Sequence, residues 1–263
     1  MLIDTHAHLW WDSYKSDLDQ VLARAREAGV EKIIVPGTDV ESSRKAVELV
    51  KKYPGVIYAS VGVHPEEVGK TDLSFMIQDL RKIVTEHKGG VVATGEIGTD
   101  ASTEELKNCM SQQKELFREQ CLLALEFELP VIIHTRNSLT EALEVLDSLP
   151  NMPRGQFHCF SHDEDGLRQV LKRGFYVSFC GNITWSKRVS KLVQLVPDDR
   201  LLLETDSPLM VPRDKKGIPC GGDERNESGN VAILAETVAE LRGISTREIE
   251  DITTKNANTL YKL

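Results

Sequence analysis

Two histidines separated by one residue stand near the start of the chain, in Ile3-Asp4-Thr5-His6-Ala7-His8. On an extended backbone residues i and i+2 face the same side, so both imidazoles can close on one cation. The pattern of an apolar run ending in a histidine or an acid recurs. Val91-Val92-Ala93-Thr94-Gly95 leads into Glu96, Val131-Ile132-Ile133 into His134, Gln156-Phe157 into His158, and Leu201-Leu202-Leu203-Glu204-Thr205 into Asp206. One such histidine is commonly a satisfied structural residue. Six such residues on five runs are another matter, because each buried charge is expensive without a partner. Four imidazoles with two carboxylates suit zinc or manganese better than the all-oxygen surroundings preferred by calcium or magnesium. The chemistry they point to is metal-assisted hydrolysis.

These residues can act together only if the runs that carry them end on one face. Eight apolar, β-branched runs alternate with longer amphipathic stretches, the pattern of βα units around a parallel sheet. The strand candidates are Leu2 to Thr5, Lys32 to Pro36, Ile57 to Val61, Val91 to Thr94, Val131 to Ile133, Gln156 to Cys159, Phe175 to Ser178 and Leu201 to Glu204. Several are unbroken apolar runs, as strands covered on both faces should be. Helical spacing fills the gaps at Asp17 to Ala28, Ser42 to Tyr53, Glu104 to Phe127 and Leu139 to Leu149, with Ser138 and Glu141 at capping-box spacing. The expected fold is a (β/α)8 TIM barrel, a single domain over residues 1–263, in which strand ends converge on the catalytic face. Two helical patterns, Val231 to Leu241 and Thr246 to Leu260, follow the eighth strand, so one is an added C-terminal helix. The one long irregular stretch is Ser207 to Gly229, and loops of that length are usually functional.

Composition narrows the function. The 263 residues carry a net charge of −9, which argues against a broad electropositive surface for gripping long nucleic acid. Five scattered cysteines without a CxxC spacing suggest reduced thiols in a cytoplasmic protein rather than a disulfide framework. No stretch has the form of a signal peptide or membrane span, so no membrane association is expected. Nothing calls for an obligate protein partner.

The ordered strings DTHAHL (Asp4 to Leu9), GVHP (Gly62 to Pro65), GEIGTD (Gly95 to Asp100), IHTR (Ile133 to Arg136), FHCFS (Phe157 to Ser161), ETDSP (Glu204 to Pro208), RNES (Arg225 to Ser228) and Asn256-Ala257 resemble the TatD family of metal-dependent DNases, within the wider amidohydrolase-like barrels. Each string is weak alone, and the ordered set spans nearly the whole chain. The resemblance implies two divalent cations, zinc, manganese or magnesium, with His6 and His8 on one, His134 and His158 on the other, Glu96 bridging, and Asp206 completing the first. It implies DNA or RNA ends as substrate, cleaved through a two-metal-activated water, with Asp206 moving its proton.

His64, Arg136 and Arg225 are candidate substrate contacts, the arginines through bidentate phosphate pairing. Glu204, two before Asp206, would orient a ligand from behind. Trp10 and Trp11 would stack on a base or close a loop over the core. Lys187, Arg188 and Lys191, with Arg213, Lys215 and Lys216, are basic clusters near the expected upper loops, or simply solvated faces. Three places depart from the family pattern: Thr99 with Ala101-Ser102-Thr103, His162, and the acidic, glycine-rich Gly217 to Glu224. All are expected in loops that shape the pocket. They leave hydrolysis of a small amide, lactone or phosphoester as the alternative, and a non-catalytic binding module as a third reading.

Overall fold

The computed structural model describes residues 1–70, 72–220 and 225–263. Eight parallel strands lie in one sheet whose order follows the chain, β1 to β8, with helices between them. This is the expected (β/α)8 barrel class. Contacts divide the chain into two compact units: Met1–Val35, Gly55–Ile57 and Cys159–Leu263 form one, and Pro36–Pro54 and Tyr58–His158 the other. Among the described residues no helix is long and apolar enough to cross a membrane.

In the first unit, β1 (Leu2–Asp4) is followed by α1 (Leu18–Glu27) and pairs with β2 (Val30–Pro36). The later part holds α7 (Glu164–Lys172), β7 (Tyr176–Phe179), α8 (Lys187–Val193), β8 (Leu201–Leu203), α9 (Val231–Arg242) and the added α10 (Thr246–Tyr261). Leu201, Leu202 and Leu203 are at most 1% exposed, which explains why β8 reads as an unbroken apolar run. Beside it lies β1: Thr5 N–H donates to Leu203 O at 3.2 Å and Asp206 N–H to His6 O at 2.9 Å. The buried Asp4 carboxylate fixes this junction by accepting from Thr205 N–H at 2.9 Å and Thr205 Oγ1 at 2.7 Å. Helix α10 begins at a reciprocal cap between Ser245 and Glu248 and buries Ile249, Thr253, Asn256, Ala257 and Leu260, one stripe of a 3.6-residue period. Asn256 Nδ2 donates to Leu201 O at 2.8 Å, tying the added helix to the start of β8.

The second unit contains α2 (Val40–Lys52), most of β3 (Ile57–Val61), α3 (Leu73–Glu86), β4 (Val91–Asp100), α4 (Glu104–Asn108), α5 (Met110–Glu126), β5 (Val131–Arg136), α6 (Leu139–Asp147) and β6 (Gly155–Phe157). Here the structure corrects three expectations. Strand β4 does not stop at Thr94 but runs to Asp100, pairing Gly98 with His134 and Thr99 with Thr135. Glycine permits this, because a Cβ on Gly98 would sit 2.0 Å from His134 O. Thr99 therefore lies in a buried strand, not a pocket loop. The helix expected over Glu104 to Phe127 breaks at Cys109. Gln113 Nε2 takes Leu106 O at 2.8 Å, a carbonyl that a continuous helix would use internally. Finally, Ser138 does not cap α6 with its side chain. Its Oγ donates to Thr99 O at 2.8 Å and accepts from Thr99 Oγ1 at 2.9 Å, so a strand-to-loop bond wins over the cap.

Replacing Ser245 with Ala should cost about 1 kcal/mol and lower the melting temperature by roughly 2–4 °C. Glu141→Ala, at the unused box, should leave it unchanged. Thermal melts of the two variants check both, and equal shifts would contradict the assignment.

Candidate metal centre

The six expected ligands fall into two donor sets, one in each unit. In the first unit His6 and His8 leave β1 and Asp206 leaves β8, all within 8% exposure. The His6 and His8 Nε2 atoms are 3.2 Å apart, and Asp206 Oδ1 lies 3.7 Å from the one and 3.4 Å from the other. A tetrahedral ion with bonds near 2.1 Å would hold its ligand atoms roughly 3.4 Å apart. The donor set fits such an ion in spacing and in chemistry. Asp206 has φ 54, a left-handed conformation that L side chains resist and that clusters at functional sites. The 2.9 Å bond from its N–H to His6 O holds it there.

In the second unit Glu96 Oε1 lies 2.9 Å from His134 Nδ1, 2.9 Å from His158 Nε2 and 3.5 Å from His64 Nε2. The His134 Nδ1 and His158 Nε2 atoms are 3.2 Å apart. Glu96 and His134 lie within β4 and β5 rather than beyond their ends, while His158 directly follows β6. His64, expected as a substrate contact, stands inside this donor set: its ring meets His134 edge-on at 4.4 Å, and its Nδ1 accepts from Glu66 N–H at 3.3 Å.

Sequence reasoning missed the residue that aims His134. Asp100 Oδ2 is 2.9 Å from His134 Nε2, which leaves Nδ1 to face Glu96 and His158. A carboxylate on the far nitrogen fixes ring orientation and raises ligand basicity. Burial alone would push the Asp100 carboxyl up, but hydrogen bonds from His134 and Ser102 hold it down at about 2. Burial likewise pulls His134 down, and its bonds to Asp100 and Glu96 outweigh this and raise it. A set that favours positive charge on its histidine is a set that favours a cation. The signal was available: with β4 run to Asp100, a period of two puts Glu96 and Asp100 on one face.

In the first unit, Glu204 Oε1 accepts from Cys159 N–H at 2.5 Å and its Oε2 from Ser178 Oγ at 2.6 Å. Glu204 thus fastens the chain just after His158. Burial raises the Asp4 carboxyl to about 7 despite its bonds from Thr205, Ser228 and His6. Trp10 and Trp11 are half-buried, with centroids 5.9 and 5.8 Å from the His8 ring, and so wall one side of that ligand. Arg136 is exposed at the end of β5. Arg225 is held elsewhere: its Nη atoms donate to Asp17 at 2.9 and 2.6 Å and to Glu227 at 2.9 Å, and Asp17 first raises its pKa. An arginine so committed would have to break these bonds to take a phosphate. Of Gly217 to Glu224, the last four residues lie outside the described residues.

Donor sets of this kind on parallel strands are the equipment of metal-dependent hydrolases, the class to which this protein belongs. Within that class the chain belongs to the TatD family, since the model for TatD related DNase matches residues 3–262. It is 37% identical over 269 residues to the uncharacterized metal-dependent hydrolase YabD of Bacillus subtilis, covering 100% of each. It is 33% identical to the 3'-5' ssDNA/RNA exonuclease TatD of Pantoea vagans, again over 100% of both chains. The crystal structure of YJJV, a TatD homolog from Escherichia coli K12, superimposes with a TM-score of 0.89 at 30% identity, covering 100% of this chain and 98% of that one.

Calorimetric titration of the metal-free Asp100→Asn variant with zinc should show one binding event weakened about 10- to 100-fold. Two events with unaltered affinity would remove Asp100 from the support of the ion.

Proposed function

We propose that the protein is a nuclease that removes nucleotides from the ends of single-stranded DNA or RNA, using two divalent cations, one in each donor set. The observation that carries this reading is the pair of imidazole-carboxylate sets with 3.2 Å nitrogen spacings, in a chain whose full-length relatives include an ssDNA/RNA exonuclease. Bound divalent cations of this kind acidify water and offset the charge developing on a phosphoryl oxygen. Asp206 accepts the proton of the attacking water and returns one to the leaving oxygen. Glu96 and His158 complete the second donor set, and Asp100 keeps His134 turned toward it. Arg136, exposed and two residues after His134, pairs with the phosphate of the substrate in this reading. One catalytic domain is the reading supported by a family match over residues 3–262. The free thiols at Cys109, Cys121, Cys159, Cys180 and Cys220 fit a reducing cytoplasm.

The test is turnover of end-labelled single-stranded DNA and RNA beside a panel of small esters, amides and lactones, with manganese or zinc supplied. Stepwise shortening of the labelled strand is expected. Chelation with EDTA should abolish it and metal should restore it. Turnover confined to the small substrates would replace the nuclease reading with small-molecule hydrolysis. Asp206→Asn should keep the fold, measured by circular dichroism, and lower kcat at least 100-fold. Full activity in that variant would remove Asp206 from the proton transfer.

A further inference from the structure

The connections that follow β7 and β8 press together in the first unit. A Cβ on Gly181 would lie 1.7 Å from Met210 O, so only glycine allows this approach. Arg213 N–H donates to Thr184 Oγ1 at 2.8 Å, and Thr184 Oγ1 donates to Gly181 O at 2.8 Å. The next residue, Trp185, is held by its backbone: its N–H donates to Asn182 O at 3.3 Å. Its side chain is 51% exposed, and among the described residues no hydrogen bond or ring contact engages the indole.

A half-exposed tryptophan on a turn fixed by its backbone offers a ring face to a flat ligand at little ordering cost. The connection after β8 carries two further exposed apolar residues. Leu209 is 48% exposed, with its N–H donating to Asp206 O at 3.0 Å, and Ile218 is 54% exposed. The same two connections carry cations: Lys187, Lys215 and Lys216 are exposed, and Arg188 is anchored on Ser161 O and His162 O. Asp214 lies beside Lys215, and its Oδ1 is taken up by the N–H groups of Lys216 and Ile218 at 2.8 and 2.9 Å, while the acids Asp223 and Glu224 fall outside the described residues. In a chain of net charge −9, exposed cations on the same two connections as exposed apolar side chains favour an anionic ligand with apolar faces. A single-stranded polynucleotide has both, whereas a duplex hides its base faces.

We infer that Trp185 is a stacking platform for a base of single-stranded nucleic acid whose phosphate is presented at the His6-His8-Asp206 set, with Lys187, Lys215 and Lys216 neutralising neighbouring phosphates. The inference rests on the nuclease reading and adds a specificity-determining residue to it. Stacking on an aromatic side chain is tolerant of sequence, so the platform selects for an unpaired base rather than a particular one.

Trp185→Ala and Trp185→Phe are to be compared with the parent protein on a single-stranded oligonucleotide and on bis(p-nitrophenyl) phosphate, a diester that lacks bases. For Trp185→Ala the ratio of kcat/KM on the oligonucleotide to kcat/KM on the diester should fall about 10- to 100-fold. The loss should lie mainly in KM, and Trp185→Phe should recover most of it. Titration of metal-loaded Asp206→Asn protein with oligothymidylate should quench tryptophan fluorescence, and adding Trp185→Phe should remove most of that quenching. An unchanged ratio in Trp185→Ala would overturn the platform, as would equal losses on both substrates that Phe does not rescue. Cleavage of the diester with no cleavage of any polynucleotide would instead overturn the nuclease reading.

Discussion

Everything in this molecule depends on the cost of burying electron-rich donors side by side. His6, His8, Glu96, His158 and Asp206 are all less than one-tenth exposed, and the nitrogens within each set approach to 3.2 Å. A buried carboxylate without a counter-charge costs several kcal/mol. Two neutral imidazoles at this distance can share only one proton. A divalent cation held by such a set would remove the conflict, and metal binding and the stability of the strand ends would then be one free energy. The residues that hold the donors in place are therefore as much a part of the centre as the donors. Asp4 clamps β1 to β8 through Thr205, Glu204 clamps the chain after His158, and Asp100 turns His134.

How much of this was legible in the sequence follows from where each signal lies. Strands such as β8 are covered on both faces, so they appear as apolar runs, and the candidate donors interrupt them visibly. The (β/α)8 order could be read for that reason, and so could the imidazoles and carboxylates that the structure brings together. Strand β4 was cut short because glycines and polar residues look like a loop. In three dimensions Gly98 admits the backbone of β5, while Gln113 and Ser138 satisfy the polar groups that follow. The break between α4 and α5 is accompanied by a glutamine reaching back to a carbonyl, which helical periodicity does not register.

Charged side chains were harder to read because their partners are remote in the chain. Asp17 holds Arg225 across 208 residues of sequence, and no spacing rule signals such a pair. The departures from the family pattern sort in the same way. Thr99 is a buried strand residue bonded to Ser138, so its hydroxyl serves the scaffold. The His162 ring lies edge-on to Phe160 at 5.4 Å, and the His162 carbonyl receives Arg188. The same metal-bearing barrel supports many hydrolytic reactions, and the surface around the donors decides among them.

The most direct measurement of the central claim is anomalous diffraction from crystals grown with zinc or manganese. The account predicts one peak about 2.0–2.2 Å from the Nε2 atoms of His6 and His8 and from an oxygen of Asp206, and a second at Glu96, His134 Nδ1 and His158 Nε2. Anomalous peaks at exposed acids, with none at either donor set, would contradict it.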